Sequence, residues 1–239
     1  MSTIAEIRHH IHVVEDTRKI TRAMFLISSA KMTKAMRMHD QNASYFQRVR
    51  SDIRFMMENT DGGLNNPYCR QHPGKQVAFL VIAGDKGLCG GYNSEVLKLA
   101  LRVIEAGDYK QRSLFTIGHE AADFFYRRNM NPDINYLHII QDPSLFHARR
   151  LTSELCRLFR QKYLDEIYVV YTVMEGIGKL KPTVLRLLPV IPEDFHDAQI
   201  LHAPTASLAY HPSASEVLEA MVPHYLVGLV YSALVQSYA

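Results

Sequence analysis

Residues 1–60, MSTIAEIRHHIHVVEDTRKITRAMFLISSAKMTKAMRMHDQNASYFQRVRSDIRFMMENT, contain neither glycine nor proline, although the chain of 239 residues has 12 and 10 of them. Thr3 and Glu6 have capping-box spacing, which satisfies two orphan amides at a helix start. Apolar residues follow in a 3,4 step: Ile4, Ile7, Ile11 and Val14, then Phe25, Met32 and Ala35, then Phe46, Val49, Ile53 and Met56. That heptad stripe requires a partner helix along most of its length. Asp61-Gly62-Gly63 supplies a stop. A single helix over residues 3–58 extends roughly 84 Å. Such a rod is a shaft and not the core of a globule.

The stripe is weak in its middle, where Arg18, Thr21, Ser28, His39 and Asn42 occupy the apolar phase. Between Thr17 and His39 stand six bases, Arg18, Lys19, Arg22, Lys31, Lys34 and Arg37, and no acid. Residues 1–60 carry ten Lys/Arg against six Asp/Glu, +4, and the remainder 17 against 18, −1, so the basic character of a chain of net charge +3 sits on the rod. A solvated helix face, an acidic protein partner and a phosphate backbone all fit such a run. No series of aromatic residues interleaves with the bases as a stacking surface requires, which favours the protein partner over nucleic acid.

The rest of the chain is α/β in pattern. Asn65–Gly74 is a turn-rich linker. Val77–Ala83 is a continuous apolar run of the kind found in central parallel strands. A glycine loop (Gly84–Asn93), a helix to about Ala106, a strand at Ser113–Ile117 and a helix at Glu120–Arg128 follow. A third strand is expected over Ile134–Ile140, a helix from Pro143 to about Tyr163, and strands over Ile167–Met174 and Thr183–Val190. The alternation predicts an open, mostly parallel, Rossmann-like sheet with helices on both faces. After an irregular stretch from Pro192 to Pro212, Ser213 and Glu216 form a second capping box, opening a helix to the chain end. The division expected is a rod at 1–61, an α/β unit at 75–192 and a terminal helix at 213–239. Pairing the two end helices antiparallel as a coiled coil, with the α/β unit inserted between them, buries both apolar surfaces.

Composition narrows the function. With 47% hydrophobic and 21% charged residues the chain has an ordinary globular balance. No apolar leader stands at its start. Cys69, Cys89 and Cys156 are scattered, with no CxxC pair, which fits a reducing compartment and neither a disulfide framework nor a zinc site. Residues 220–239 are uncharged over a length that nominally spans a bilayer, but Pro223, His224, Gln236 and Ser237 favour a helix buried on the rod. His9, His10 and His12, with no carboxylate or Cys framework around them, read as solvated surface. No nucleophile–base–orienter set emerges from His119, Glu120 and Asp142, so neither catalysis nor a cofactor is expected.

The loop Gly84-Asp85-Lys86-Gly87-Leu88-Cys89-Gly90-Gly91-Tyr92-Asn93 lies where α/β sheets bind phosphates. It nevertheless reads GxxGxxGG, and satisfies neither the dinucleotide fingerprint nor the P-loop pattern, which needs Lys and a hydroxyl residue after the last glycine. Glycines permitting tight turns are the plainer reading.

Two distant motifs carry a resemblance. Thr17-Arg18-Lys19-Ile20-Thr21-Arg22-Ala23-Met24, followed by Ser28-Ser29-Ala30-Lys31-Met32, resembles the N-terminal helix of the γ subunit of F-type ATP synthases. The run from Asp85 to Asn93 is similar to the signature loop of the same family, which usually has Arg where Lys86 stands. Pro182-Thr183, Pro223, Tyr225-Leu226 and Tyr231 with Ala233-Leu234 agree with it, so the likeness spans essentially the whole chain. It implies a central-stalk rotor, non-catalytic itself, turning inside a ring of α and β subunits. Its foot, with an ε subunit, would rest on a membrane c-ring at the cytoplasmic face of a bacterial inner membrane. The implied β-facing contacts are Arg18, Lys19, Arg22, Lys31 and Lys34, with Met24 beside them; Asp85, Lys86, Gly87, Cys89 and Asn93 would meet the ring's lower rim. Family members continue past the position of Ala239 with a long helix, so residues 1–25 are expected to lack a partner within this chain. That departure, a truncation or a divergent short form, leaves an alternative: a γ-like assembly or inhibitory adaptor. A nucleotide-binding α/β enzyme is the third reading.

Overall fold

The computed structural model describes residues 3–59, 66–71, 75–176, 178–195, 210–211 and 213–238. Helix α1 runs unbroken over Ile4–Asn59. Its start is the expected capping box: the Thr3 amide donates to Glu6 Oε2 at 2.7 Å and the Glu6 amide to Thr3 Oγ1 at 3.3 Å. The proposed Asp61-Gly62-Gly63 stop lies outside the described residues.

Five strands follow: β1 (Gln76–Ile82), β2 (Gln111–Ile117), β3 (Ile134–Tyr136), β4 (Glu166–Gly176) and β5 (Lys179–Leu188). Their order is β3-β2-β1-β4-β5, the first four parallel and β5 antiparallel to β4. Among the described residues the remaining elements are helices α2 (Tyr92–Ala106), α3 (His119–Tyr126), α4 (Leu145–Arg160) and α5 (Ala214–Tyr238), with short 3-10 turns at Ile139–Gln141 and Pro192–Phe195. The mixed α/β architecture, mostly parallel and with long helices at both ends, matches the sequence expectation.

Strand β1 is central and buried on both sides, as its apolar run requires. Ala78, Leu80 and Ile82 belong to the core shared with α1, α4 and α5. Val77, Phe79 and Val81 belong to the one beneath α2 and α3. The period-2 alternation of one strand therefore feeds two cores.

Most boundaries shift by one to three residues, and three of the differences have a local cause. The third strand stops at Tyr136 instead of reaching Ile140, because His138 adopts a left-handed conformation (φ 65°) and turns the chain into the 3-10 segment. The helix expected from Pro143 begins at Leu145, since Ser144 caps it by accepting the His147 amide at 3.3 Å. The last strand spans 179–188 instead of 183–190, because β4 and β5 are joined as a hairpin with Gly178 at φ +75°. The linker is also less open than its composition suggests. Asn66 and Tyr68 are buried, and the Tyr68 carbonyl accepts the Val190 amide.

Helix α5 is long and apolar enough to cross a membrane by length and composition, but it lies against α1, α4 and β4. Leu218, Val222, Leu226, Val230 and Leu234 are completely or almost completely buried there, each worth about 1.5–3 kcal/mol of transfer free energy. The pair α1–α5 runs antiparallel: Phe46 stacks on Tyr225, with ring centroids 5.3 Å apart, and Lys31 lies over Tyr238. Ala35, Val49, Ile53 and Met56 of the stripe are buried. Above Lys31 nothing among the described residues covers α1. Ile4, Ile7, Ile11, Val14 and Phe25 are exposed, Phe25 by 68%. About 40 Å of helix thus overhangs the body.

Candidate partner-contact surface

The rod presents its bases in two groups. Arg18, Lys19 and Arg22 are exposed on the overhang, with Arg18 and Arg22 one turn apart. Lys19 Nζ is 2.9 Å from Asp16, a solvent-exposed pair, so its contribution to stability is small. Arg18 and Arg22 have no ion-pair partner among the described residues. Met24 is exposed close to them. Lys31 and Lys34 behave differently. Their ammonium groups lie 5.2 and 5.7 Å from the centre of the Tyr238 ring, and Lys34 also stands 3.8 Å from the Asp142 carboxylate. The expected contact set is therefore divided into three cations on bare helix and two that flank the end of α5.

The glycine loop is held from within. Asn93, the second residue of α2, is buried; its Oδ1 accepts the Gly84 amide at 2.8 Å, and its Nδ2 donates to the Lys86 carbonyl at 3.1 Å and to Cys89 Sγ at 3.2 Å. Asp85 binds inward as well. Its Oδ1 accepts the His119 amide at 3.2 Å, at the start of α3, and its Oδ2 accepts from Gln141 Nε2 at 3.0 Å. A carboxylate at a helix N-terminus is favoured by the peptide dipoles. Gly118, at φ +93°, lets the β2–α3 turn pass the Ala83 carbonyl, which would sit 2.2 Å from a Cβ there.

Asp85 and Asn93 thus build the loop, and Lys86, Gly87 and Cys89 form its exposed outer surface. Between them Leu88 is 94% exposed at φ 63°. A non-glycine residue in that conformation costs of the order of 1 kcal/mol or more, and such strain clusters at functional positions. The sequence reading did not single out Leu88; an apolar residue inside a glycine loop was the available signal. It likewise passed over Tyr92, whose ring runs inward so that its buried hydroxyl faces Thr172 and Ser237. Burial pushes that phenol up to about 12. Burial also pushes the thiols of Cys69 and Cys156 up to about 12, whereas Cys89 is exposed.

The loop, the start of α3 and the 139–141 turn meet at the C-terminal edge of the parallel strands, which is also the side toward which α1 overhangs, as the Lys34–Asp142 contact shows. Among the described residues no cluster of three or more His, Cys, Asp or Glu is arranged to hold a metal ion.

Comparison with known proteins converges on one family. The family model described as ATP synthase matches residues 3–239. The ATP synthase gamma chain of Caldanaerobacter subterraneus is 35% identical over 247 residues, covering 98% of this chain and 82% of that one. The gamma chain of Ruminiclostridium cellulolyticum is 32% identical over 244 residues, covering 99% and 82%. The fold is shared with the central stalk of the Tetrahymena thermophila mitochondrial ATP synthase, at a TM-score of 0.58 and 19% identity over 89% of this chain and 92% of that one. The rotor of the Euglena gracilis enzyme gives the same TM-score at 14% identity, covering 98% and 85%. On these matches, which run from the capped rod through the glycine loop to the final helix, the chain belongs to the ATP synthase family as a gamma chain.

Proposed function

We propose that this chain is the torque-bearing element of the stalk, non-catalytic itself. The overhanging part of α1 turns within the α and β subunits, the body stands on a membrane c-ring with an ε subunit, and α1 and α5 form a coiled coil. One observation carries the reading: the overhang bears an exposed apolar stripe and three exposed cations, Arg18, Lys19 and Arg22, on a helix seated in the body below. A stiff lever of that kind transmits rotation, and its asymmetric surface stabilises a different β-subunit conformation at each angle, which couples ion flow to nucleotide affinity. Because α, β and ε subunits belong to the F1 sector, the chain would be peripheral at the cytoplasmic face of a bacterial inner membrane. Arg18, Lys19 and Arg22, with Met24, supply the upper contact. Lys86, Gly87, Leu88 and Cys89 meet the lower rim of the ring, while Asp85 and Asn93 hold that loop in shape, and Lys31 and Lys34 act at the neck.

Thiol protection tests the placement. Assembly with α and β subunits should slow alkylation of Cys89 several-fold and leave the half-buried Cys69 and the buried Cys156 as slow as before. An unchanged Cys89 rate in a stoichiometric complex would remove the loop from the interface.

A further inference from the structure

Three segments meet beside the glycine loop: the start of α3, the 3-10 turn at Ile139–Gln141 and the loop's own Asp85. Asp85 Oδ1 accepts the His119 amide at 3.2 Å, and its Oδ2 accepts from Gln141 Nε2 at 3.0 Å. The same Gln141 nitrogen lies 3.1 Å from His138 Nδ1. We propose that His138, Gln141 and Asp85 form a proton-operated latch, closed while His138 is neutral and opened when it takes a proton, which loosens the glycine loop.

The carboxylate decides the geometry. An ionised carboxylate only accepts hydrogen bonds, so Gln141 turns its NH2 group, and not its carbonyl oxygen, toward Asp85. The second N–H of that group is left for His138 Nδ1, which accepts it only as the bare nitrogen of a neutral ring. In the imidazolium both ring nitrogens are donors, and Nδ1–H confronts N–H. Turning the amide over gives the imidazolium an acceptor but sets the Gln141 oxygen against the Asp85 carboxylate. One of the two bonds is lost in either case. The backbone holds the parts together: His138 is left-handed at φ 65°, and the Gln141 amide donates to the His138 carbonyl at 3.2 Å, so the two residues share one tight turn.

The charged groups on the neighbouring elements are Asp85 and Lys86 in the loop, Glu120 at the start of α3, Asp142 after the turn, and Lys34 of α1, 3.8 Å from Asp142. The titratable His119 ring stands edge to face with His138, centroids 5.3 Å apart. On α5, burial and then the charge of Asp142 push the Tyr231 phenol up. Three carboxylates against two ammonium groups leave no field that bars a proton from His138. Histidine changes charge between about pH 5 and 8, so the latch is closed at the upper end of that interval and given up as pH falls through it. That the loosening reaches the α and β subunits rests on the proposed placement of the loop; the latch itself belongs to the chain alone.

Amide hydrogen exchange of the full chain at about pH 8 and about pH 5.5, corrected for the intrinsic pH dependence of exchange, reads the latch with no partner subunit present. Protection from Gly84 to Leu88 and at His119 should fall about three- to tenfold on acidification, the weight of one lost hydrogen bond. His138→Asn suits the left-handed backbone and supplies a non-titrating acceptor oxygen in place of Nδ1, so its protection should be equal at the two pH values. Gln141→Leu should show low protection at both, and His119→Asn should keep the pH dependence of the unaltered chain. A fall that persists in His138→Asn, that disappears in His119→Asn, or that is absent from the unaltered chain would overturn the proposal. If His138→Asn fails to fold, Gln141→Leu decides: protection at the higher pH equal to that of the unaltered chain contradicts the latch. Shielding of Cys89 on assembly is a separate outcome, so the latch can fail while the loop still meets the ring, and the reverse.

Discussion

Phe46 occupies the space that a side chain at position 228 would need. A Cβ built on Gly228 would lie 2.7 Å from Phe46 Cδ2 and 2.9 Å from Cε2. Phe46 is held there by its stack on Tyr225, so α1 and α5 approach closely around one aromatic knob. Gly228→Ala gains about 1 kcal/mol of helix propensity and meets an overpacking penalty of about 1–3 kcal/mol. The expected outcome is net destabilisation of the order of 1 kcal/mol in denaturant unfolding. In a Phe46→Ala background the same substitution should be stabilising. A double-mutant cycle showing no coupling between the two would contradict the packing described.

Asn93 is the keystone of the glycine loop. Asn93→Asp removes the Nδ2 donor to the Lys86 carbonyl and to Cys89 Sγ and leaves those acceptors facing a carboxylate. A loss of about 1–3 kcal/mol is expected, with faster amide hydrogen exchange from Gly84 to Cys89 and faster alkylation of Cys89. Unchanged exchange would mean that the loop is shaped by its glycines alone.

The thiols should separate cleanly. With Cys69 and Cys156 pushed up to about 12 by burial and Cys89 exposed, Ellman's reagent at pH 8 should titrate one fast thiol in the native chain and three after unfolding. Cys89→Ser should abolish the fast phase.

Stability should decline in alkali. The folded chain holds the protons of Cys69, Cys156 and Tyr92 more tightly than the unfolded chain, whose thiols and phenols titrate near their ordinary values of 9 and 10. The stabilisation from keeping these groups neutral is therefore fully present below about pH 9 and is lost as pH rises toward 12. Denaturant midpoints from pH 7 to 11 would show the decline. In Cys69→Ala/Cys156→Ala its onset should move upward, leaving the contributions of Tyr92 and of other tyrosines, such as Tyr136 and Tyr168, whose phenols burial also pushes up.

Much of the architecture is legible in the residues because local and long-range signals agree there. Thr3 with Glu6 and Ser213 with Glu216 mark helix starts that the structure keeps; the Glu216 amide donates to Ser213 Oγ at 3.2 Å. The apolar run Val77–Ile82 identifies a central strand because burial on both faces leaves no polar position. Strand and helix edges such as Tyr136 and Leu145 are less legible, since a left-handed His138 and a Ser144 cap are single-residue events that periodicity does not record. At the contact surface the sequence identifies the basic run and the loop but not their division of labour. Asp85 and Asn93 turn inward, and Lys31 and Lys34 meet Tyr238, through contacts more than thirty residues apart or across a turn, which spacing alone does not reveal.

That division gives a charge prediction. Arg18→Gln/Arg22→Gln should lower the association rate with α and β subunits and flatten its salt dependence while leaving the chain's own unfolding within about 0.5 kcal/mol. Lys31→Gln/Lys34→Gln should instead lower stability modestly, by about 0.5–1 kcal/mol, through the lost contacts with Tyr238 and Asp142. An equal effect of both pairs on association would erase the distinction.

The most direct measurement is reconstitution of the chain with purified α and β subunits, followed by size-exclusion mass determination and an assay of ATP hydrolysis. A torque-bearing stalk predicts one chain per α3β3 hexamer and hydrolysis stimulated over the αβ mixture alone. A stoichiometric complex without stimulation, or with inhibition, would contradict the rotor role and favour the adaptor; failure to form any complex would contradict both.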